Sequence, residues 1–177
     1  MWAAAVATAV AALVQAGTAG MGGAAARSNQ IRARVWYVVD GDTVRLASGR
    51  YVRFVQIDAP ELHPAECYGR RASELLHSWI APGSRVTLQA DPRLDRVDRY
   101  GRLLRYVFSG TRNLNLALVS RGAATVWFYN RDLGRYAARL LSGARHARAN
   151  GRGLWGACRA VWDPYGPATT HYKHHRR

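Results

Sequence analysis

Residues 40–61 read DGDTVRLASGRYVRFVQIDAPE. Val44 and Leu46 alternate with polar residues, Ser48-Gly49 supplies a turn, and Val52, Phe54 and Ile57 resume the apolar spacing, so the stretch predicts a β-hairpin. Such a hairpin brings Asp42, at the start of one strand, near Asp58, at the end of the next. Asp40, Asp42, Asp58 and Glu61 are four of the eleven carboxylates of a chain whose formal charge is +15, so their gathering needs a cause. One cause is a hard cation, Ca²⁺ or Mg²⁺, which takes carboxylate and main-chain oxygens; the other is a plain acidic hairpin rim. Pro60 biases Ala59 towards extended backbone and so fixes the direction of the Ala59 carbonyl beside Asp58. Arg53, inside the second strand, is either part of a solvated face or a guanidinium aimed at the same anion as the metal.

Outward from this window the periodicity alternates between strand and helix. Before it, Arg32 to Val39 reads as a strand, with Val35, Trp36, Tyr37 and Val38 suited to a half-buried pleated surface. After it, Ala72, Leu75, Leu76, Trp79 and Ile80 recur at helical spacing and predict a helix from Tyr68 to Ile80, ended by Pro82-Gly83. Val86 and Leu88, then Leu104, Tyr106 and Phe108, predict two more strands. Asn113 is placed to cap a short helix through Arg121, with Gly122 just beyond its end. Leu133, Tyr136, Ala137, Leu140, Leu141 and Ala144 predict the apolar face of a last helix. The loop between the later strands, Asp91 to Arg102 (DPRLDRVDRYGR), crowds Asp95, Arg96, Asp98, Arg99 and Arg102 around Tyr100 and Gly101. By itself it reads as a solvated turn.

Composition narrows the partners. With 177 residues the chain is long enough for one domain with its own core. Lys173 is its single lysine, so the basic balance is arginine, whose planar fork suits phosphate oxygens. A sequence pI near 11.1 makes a polyanion, nucleic acid before a membrane surface, the expected partner. Residues 1–26 carry no charged side chain, and Ala3–Val14 is apolar, with small residues suited to cleavage after Ala16, Ala19 or Ala26. This reads as a signal peptide without a basic start, or as a disordered Ala/Gly segment. The run is too short and alanine-rich to span a bilayer. Beyond Cys158, residues 159–177 read as a basic, disordered tail whose His171, His174 and His175 are solvated rather than metal ligands.

Taken together, VVDGDTVRL, VRFVQIDAPE, YGRRAS, DRYGRLL, NLALVSRGAA and GLW occur in an order and at spacings that resemble the staphylococcal nuclease (thermonuclease) family over Val35 to Trp155. The resemblance implies an α+β fold for residues 31–158: a five-stranded OB-type β-barrel packed on about three helices, in agreement with the strand and helix order above. It implies Ca²⁺ as cofactor, held by Asp42, Asp58 and the main-chain carbonyl of Ala59. It also implies Arg53, Glu61 and Arg102 as catalytic residues, the two arginines as fixed positive forks on the phosphate and Glu61 orienting or deprotonating the attacking water. Arg99 and Tyr100 match positions that bind a terminal phosphate, with Asp98 supporting them. Phe128 and Asn130 fall where the family places tyrosines against the nucleotide; Phe128 keeps a ring for stacking, and a one-residue shift would put Trp127 or Tyr129 there instead.

The function implied is Ca²⁺-dependent hydrolysis of DNA and RNA phosphodiesters with little sequence preference, by a secreted, monomeric enzyme. The alternative is a non-catalytic nucleic-acid-binding OB module. The joint presence of Arg53, Glu61, Arg102 and both aspartates favours the enzyme. In the family fold the turn after the last helix returns to the barrel, so for an exported chain Cys67 and Cys158 are expected to pair.

Overall fold

The computed structural model describes residues 29–173. The strands are β1 (Gln30–Val38), β2 (Thr43–Leu46), β3 (Tyr51–Phe54), β4 (Ile57–Asp58), β5 (Arg85–Gln89), β6 (Leu103–Ser109), β7 (Arg112–Asn113), β8 (Thr125–Val126), β9 (Cys158–Val161) and β10 (Thr169–Tyr172). The helices are α1 (Gly69–Trp79), α2 (Leu114–Ser120), α3 (Ala137–Ala149) and the single turn α4 (Leu154–Ala157). Among the described residues no helix is long and apolar enough to cross a membrane. The segment read as a signal peptide, and His174 and His175, lie outside the described residues.

Antiparallel pairing joins β3 to β2, β2 to β1, β1 to β5 and β5 to β6, and the parallel pairing of β3 with β6 closes the ring. Closure leaves those five strands without a free edge. The result is the expected five-stranded OB-type barrel with three main helices. The period-2 pattern of the sequence decides which side chains point inwards: Val44 and Leu46 on β2, Val52 and Phe54 on β3, and Val86 and Leu88 on β5 are all buried. Ala72, Leu76 and Ile80 of the first helical segment, Leu114, Leu118 and Val119 of α2, and Leu140 and Ala144 of α3 complete the same core. Asn113 caps α2 as its sequence position suggested, its side chain accepting from the Leu116 N–H. Asn115, fully buried, accepts from the Val107 N–H and donates to the Val55 carbonyl, so it pins α2 to β6 and to the turn that follows β3 through bonds that burial makes costly to lose.

Two expectations are corrected here. The last helix begins at Ala137, and Leu133, 52% exposed, lies before it. Gly134 explains the late start: a Cβ there would collide with the Tyr106 hydroxyl, Asp91 Oδ2 and Gln56 Oε1, so the chain passes this point as a tight bridge. Its neighbour Arg135 donates its N–H to Asp91 Oδ2 at 2.6 Å. The second correction concerns the tail. Residues 158–172 form a β-hairpin in which Cys158 pairs with Tyr172 and Thr169 with Val161. Trp162 and Thr170 pack inwards from it, so the described part of the tail is folded. It is anchored by a disulfide between Cys67 and Cys158, as expected.

Candidate active site

Chain geometry at one end of the barrel delivers the acids of residues 40–61 to one place. Thr43 pairs with Arg53 across the β2–β3 hairpin, which sets Asp42 beside the end of β3. Gln56 then reverses the chain with a left-handed φ of 63°, a conformation that costs a non-glycine residue on the order of 1–3 kcal/mol. Its amide holds it there, donating to the Asp132 carbonyl and accepting from the Tyr106 hydroxyl. The turn lets β4 leave the barrel and pair with β8, Asp58 opposite Thr125, so that Asp58 faces back towards Asp42. Gly41 permits the close approach: a Cβ there would lie 2.6 Å from the Ala59 Cβ and 2.8 Å from the Ala72 Cβ.

The Arg53 guanidinium occupies the middle of this cluster. Its Nη1 lies 2.8 Å from Asp42 Oδ2, and its Nη2 donates to Asp58 Oδ1 at 2.9 Å. Nη1 also donates to the carbonyls of Ile57, at 2.8 Å, and Phe54, at 3.2 Å. The Ala59 N–H donates to Asp42 Oδ2 at 2.7 Å, and the Thr43 hydroxyl to Asp42 Oδ1 at 3.1 Å. Asp40 accepts from the Asp42 N–H, which ties the first acid of the motif to the second.

Burial raises the pKa of Asp42 well above the ordinary carboxylate value, and the Arg53 charge offsets only part of that rise. Asp58 and Glu61 are also raised, in both cases chiefly by burial, with Asp40 adding repulsion. Burial alone would lower the Arg53 pKa, but Asp42 and Asp58 outweigh it and hold the group firmly charged. One guanidinium thus serves several carboxylates and leaves negative charge uncompensated. A hard cation would supply what is missing, and the all-oxygen donors fit Ca²⁺ or Mg²⁺. Among the described residues no three His, Cys, Asp or Glu side chains converge as a ligand set. A cation here would therefore need main-chain or water oxygens besides Asp42 and Asp58, as Ca²⁺ commonly uses.

Arg102 stands at the start of β6. Because Arg53 lies beside Leu104 in the parallel β3–β6 pairing, the start of β6 runs along the strand that carries Arg53. The Arg102 Nε is 2.6 Å from Asp98 Oδ2, while Asp98 Oδ1 accepts from the N–H groups of Tyr100 and Arg102, both at 2.9 Å. One carboxylate therefore shapes the whole DRYGR turn. The Tyr100 ring is 67% exposed with Arg99 at 4.8 Å and Arg102 at 5.4 Å from its centroid, and Arg99 donates to its hydroxyl at 2.6 Å. Two guanidinia gathered at an exposed phenol suit an anionic group arriving from solvent.

Phe128 does not belong to this surface. It is 1% exposed and packs in the barrel core, so it is not available to stack on a base. Its N–H is bonded to the Pro164 carbonyl at 2.7 Å. Tyr129, at 61% exposure, with its ring edge against Trp127, is the outward aromatic of the run, and Asn130 is exposed next to it. Sequence reasoning also missed Thr125, whose hydroxyl donates to the Asp58 carbonyl at 3.2 Å, and Ala168, whose N–H donates to Asp58 Oδ2 at 3.1 Å. Neither carries a local signal, since both reach Asp58 only through the tertiary fold.

The model of the staphylococcal nuclease homologue family matches residues 51–157, a span that includes Arg53, Asp58, Glu61, Arg99 and Arg102. Asp42 precedes it. The chain is 28% identical to the thermonuclease of Staphylococcus hyicus over 72% of its own length and 78% of that protein. It is 33% identical to the thermonuclease of Staphylococcus intermedius over 52% of its length and 57% of that protein. It is 34% identical to an uncharacterized endonuclease of Haemophilus influenzae over 69% and 65%.

Proposed function

The chain belongs to the staphylococcal nuclease homologue family, and from that premise we propose that it hydrolyses phosphodiester bonds of DNA and RNA with Ca²⁺ as cofactor and little preference for base sequence. The observation that carries this reading is the bridging of Asp42 and Asp58 by Arg53 at the end of the barrel. Asp42, Asp58 and the Ala59 carbonyl would hold the Ca²⁺. When bound, the ion supplies a positive charge that polarises the phosphate and offsets the charge that builds up during attack.

The protein's own groups account for the rest of the chemistry. Arg53 and Arg102 carry the fixed positive charge of the guanidinium and act as electrostatic donors to the phosphate oxygens, where they count most as negative charge builds up on those oxygens during attack. Glu61 has its pKa raised by desolvation and by the neighbouring Asp40, which makes it a better proton acceptor than an ordinary glutamate. That suits it to orient the attacking water and take its proton. Arg99 and Tyr100 would receive a neighbouring phosphate. Base edges play no part in this set of contacts, which is why little sequence preference is expected. With Phe128 in the core, the exposed ring of Tyr129 is the nearest candidate for stacking on a base.

The Cys67–Cys158 disulfide supports export to an oxidising compartment, where such bonds persist. Digestion of plasmid DNA and of single-stranded RNA, with Ca²⁺ and with a chelator, tests the proposal. Cleavage of both with Ca²⁺ and of neither with chelator is expected. Binding of either polymer without any cleavage in Ca²⁺ would make the chain a non-catalytic binding module instead.

A further inference from the structure

Asp58 takes one of its hydrogen bonds from 110 residues further along the chain, where the Ala168 N–H donates to Oδ2 at 3.1 Å. Since Oδ1 is held by Arg53 at 2.9 Å, the two bonds together fix the plane of the carboxylate. Hydrogen bonds to a charged acceptor are roughly twice as strong as neutral ones, so an N–H in this position directs the group it touches.

The segment that presents Ala168 is fastened on both sides. At its base, Cys158 is bonded through sulfur to Cys67, the Thr170 hydroxyl donates to the Cys67 carbonyl at 2.8 Å, and the Cys67 N–H donates to the Thr170 carbonyl at 3.4 Å. At its far end, the Trp162 indole donates to the Val126 carbonyl at 2.8 Å, and Pro164 accepts from the Phe128 N–H at 2.7 Å. The Arg131 guanidinium lies 4.7 Å from the centroid of Tyr165, between those anchors and Ala168. Val126 belongs to β8, the strand that pairs with β4, so the hairpin grips the same small sheet that carries Asp58. From there the chain crosses Asp58 and returns to Cys67, just ahead of α1.

We propose that the C-terminal hairpin, residues 158–172, is a positioning element of the cation site, with the Ala168 N–H as the atom that orients Asp58 towards a divalent cation. This rests on the reading of Asp58 as a Ca²⁺ ligand. Partners that hydrogen-bond a ligating carboxylate typically change metal affinity by about 10- to 100-fold when removed. Ala168 acts through its main chain alone, so its side chain and the tail's charges are incidental to the role.

Calorimetric Ca²⁺ titration of the disulfide-intact protein tests the inference. Ala168→Pro deletes the N–H and is expected to weaken Ca²⁺ binding by about 10-fold or more, whereas Pro167→Ala, which keeps the N–H, leaves it unchanged. Equal affinity in Ala168→Pro and the unmodified protein would overturn the positioning role alone. A protein that binds no Ca²⁺ even unmodified would overturn the metal reading, and the role with it. Hydrogen exchange on the unmodified protein serves if Ala168→Pro does not fold. A bond that tightens cation binding must itself be tightened by the cation, so Ca²⁺ should slow exchange of the Ala168 amide; equal exchange with and without Ca²⁺ overturns the proposal.

Discussion

Arg53 is the counter-ion of Asp42: its Nη1 lies 2.8 Å from Asp42 Oδ2, with both side chains almost wholly buried. The group proposed to grip the phosphate is thus, in the free protein, the group that neutralises a proposed metal ligand. A cation held as proposed would change that balance, because it would take over the charge of Asp42 and Asp58 and leave the guanidinium available to meet substrate.

The first prediction follows from that exchange of partners. Arg53→Ala removes one member of a buried charge cluster, a change that typically costs about 3–5 kcal/mol because the remaining charge is left unpaired. Ca²⁺ should restore most of the loss, so the rise in melting temperature on adding Ca²⁺ should be larger for Arg53→Ala than for the unmodified protein. Equal rises would mean that the ion and the guanidinium do not serve the same carboxylates.

The Asp42, Arg53 and Asp58 cluster was legible because its members fall in one short window where four acids stand out against a basic chain, although Asp58 lies on β4, beyond the Gln56 turn, rather than on the second strand of the hairpin that the pattern predicted. The supports of that cluster were not legible. Thr125 and Ala168 reach Asp58 from 67 and 110 residues away, and neither residue type advertises its partner. Residues 159–177 read as disorder because Pro, His and Arg recur there without a sustained apolar period. The two strands there are only four residues each and owe their place to the disulfide and to Trp162. Phe128 illustrates a different limit. Along Trp127, Phe128 and Tyr129, neighbouring side chains point to different sides, so a slip of one residue exchanges core for surface.

That exchange gives the second prediction. Phe128→Ala should destabilise the fold by about 3–5 kcal/mol, as removal of a buried aromatic does, read as a shift in the urea unfolding midpoint. Tyr129→Ala should leave the midpoint in place and weaken binding of a short single strand in chelator by the ~1–3 kcal/mol of one base–aromatic stack. The reverse pattern would return Phe128 to the substrate surface.

A third prediction concerns Asp98. Burial alone would raise its pKa, but the Arg102 side-chain and main-chain hydrogen bonds outweigh that and hold it below the ordinary value. For a carboxylate depressed in this way, the stabilisation is present above the unfolded-state value of about 3.9 and is lost as pH falls through the lower folded value. An NMR titration of the Asp98 side-chain carbonyl should show its midpoint below about 3.9, and Arg102→Ala should move it upwards. A midpoint that ignores Arg102 would mean the ion pair does not form in solution.

Arg102→Ala also tests catalysis directly. If Arg102 acts on charge that develops during attack, kcat should fall by about 100-fold or more while KM changes much less. Losing Arg102 also frees Asp98, so Asp98→Asn is the proper companion. It keeps the guanidinium but loosens its placement, and should lower kcat by less. A loss confined to KM in Arg102→Ala would make it a general binding residue.

The last prediction concerns the Cys67–Cys158 bond, which joins positions 91 residues apart. Closing a loop of that length removes conformational entropy from the unfolded chain, an effect of about 4 to 5 kcal/mol at most in the chain-entropy model. The barrel strands and α1, α2 and α3 pack on one core, whereas Cys67 and Cys158 sit in a separate small cluster with Leu154. Reduction should therefore lower global stability while leaving the barrel assembled, with hydrogen exchange rising first in residues 158–172. Two measurements check this. Alkylation without reductant, followed by mass spectrometry, should label neither cysteine in protein from an oxidising compartment. Urea unfolding with and without reductant should then show a loss of stability that does not exceed the chain-entropy figure. Two labelled thiols would show that the bond does not form in the expressed protein, and would remove the main structural support for export.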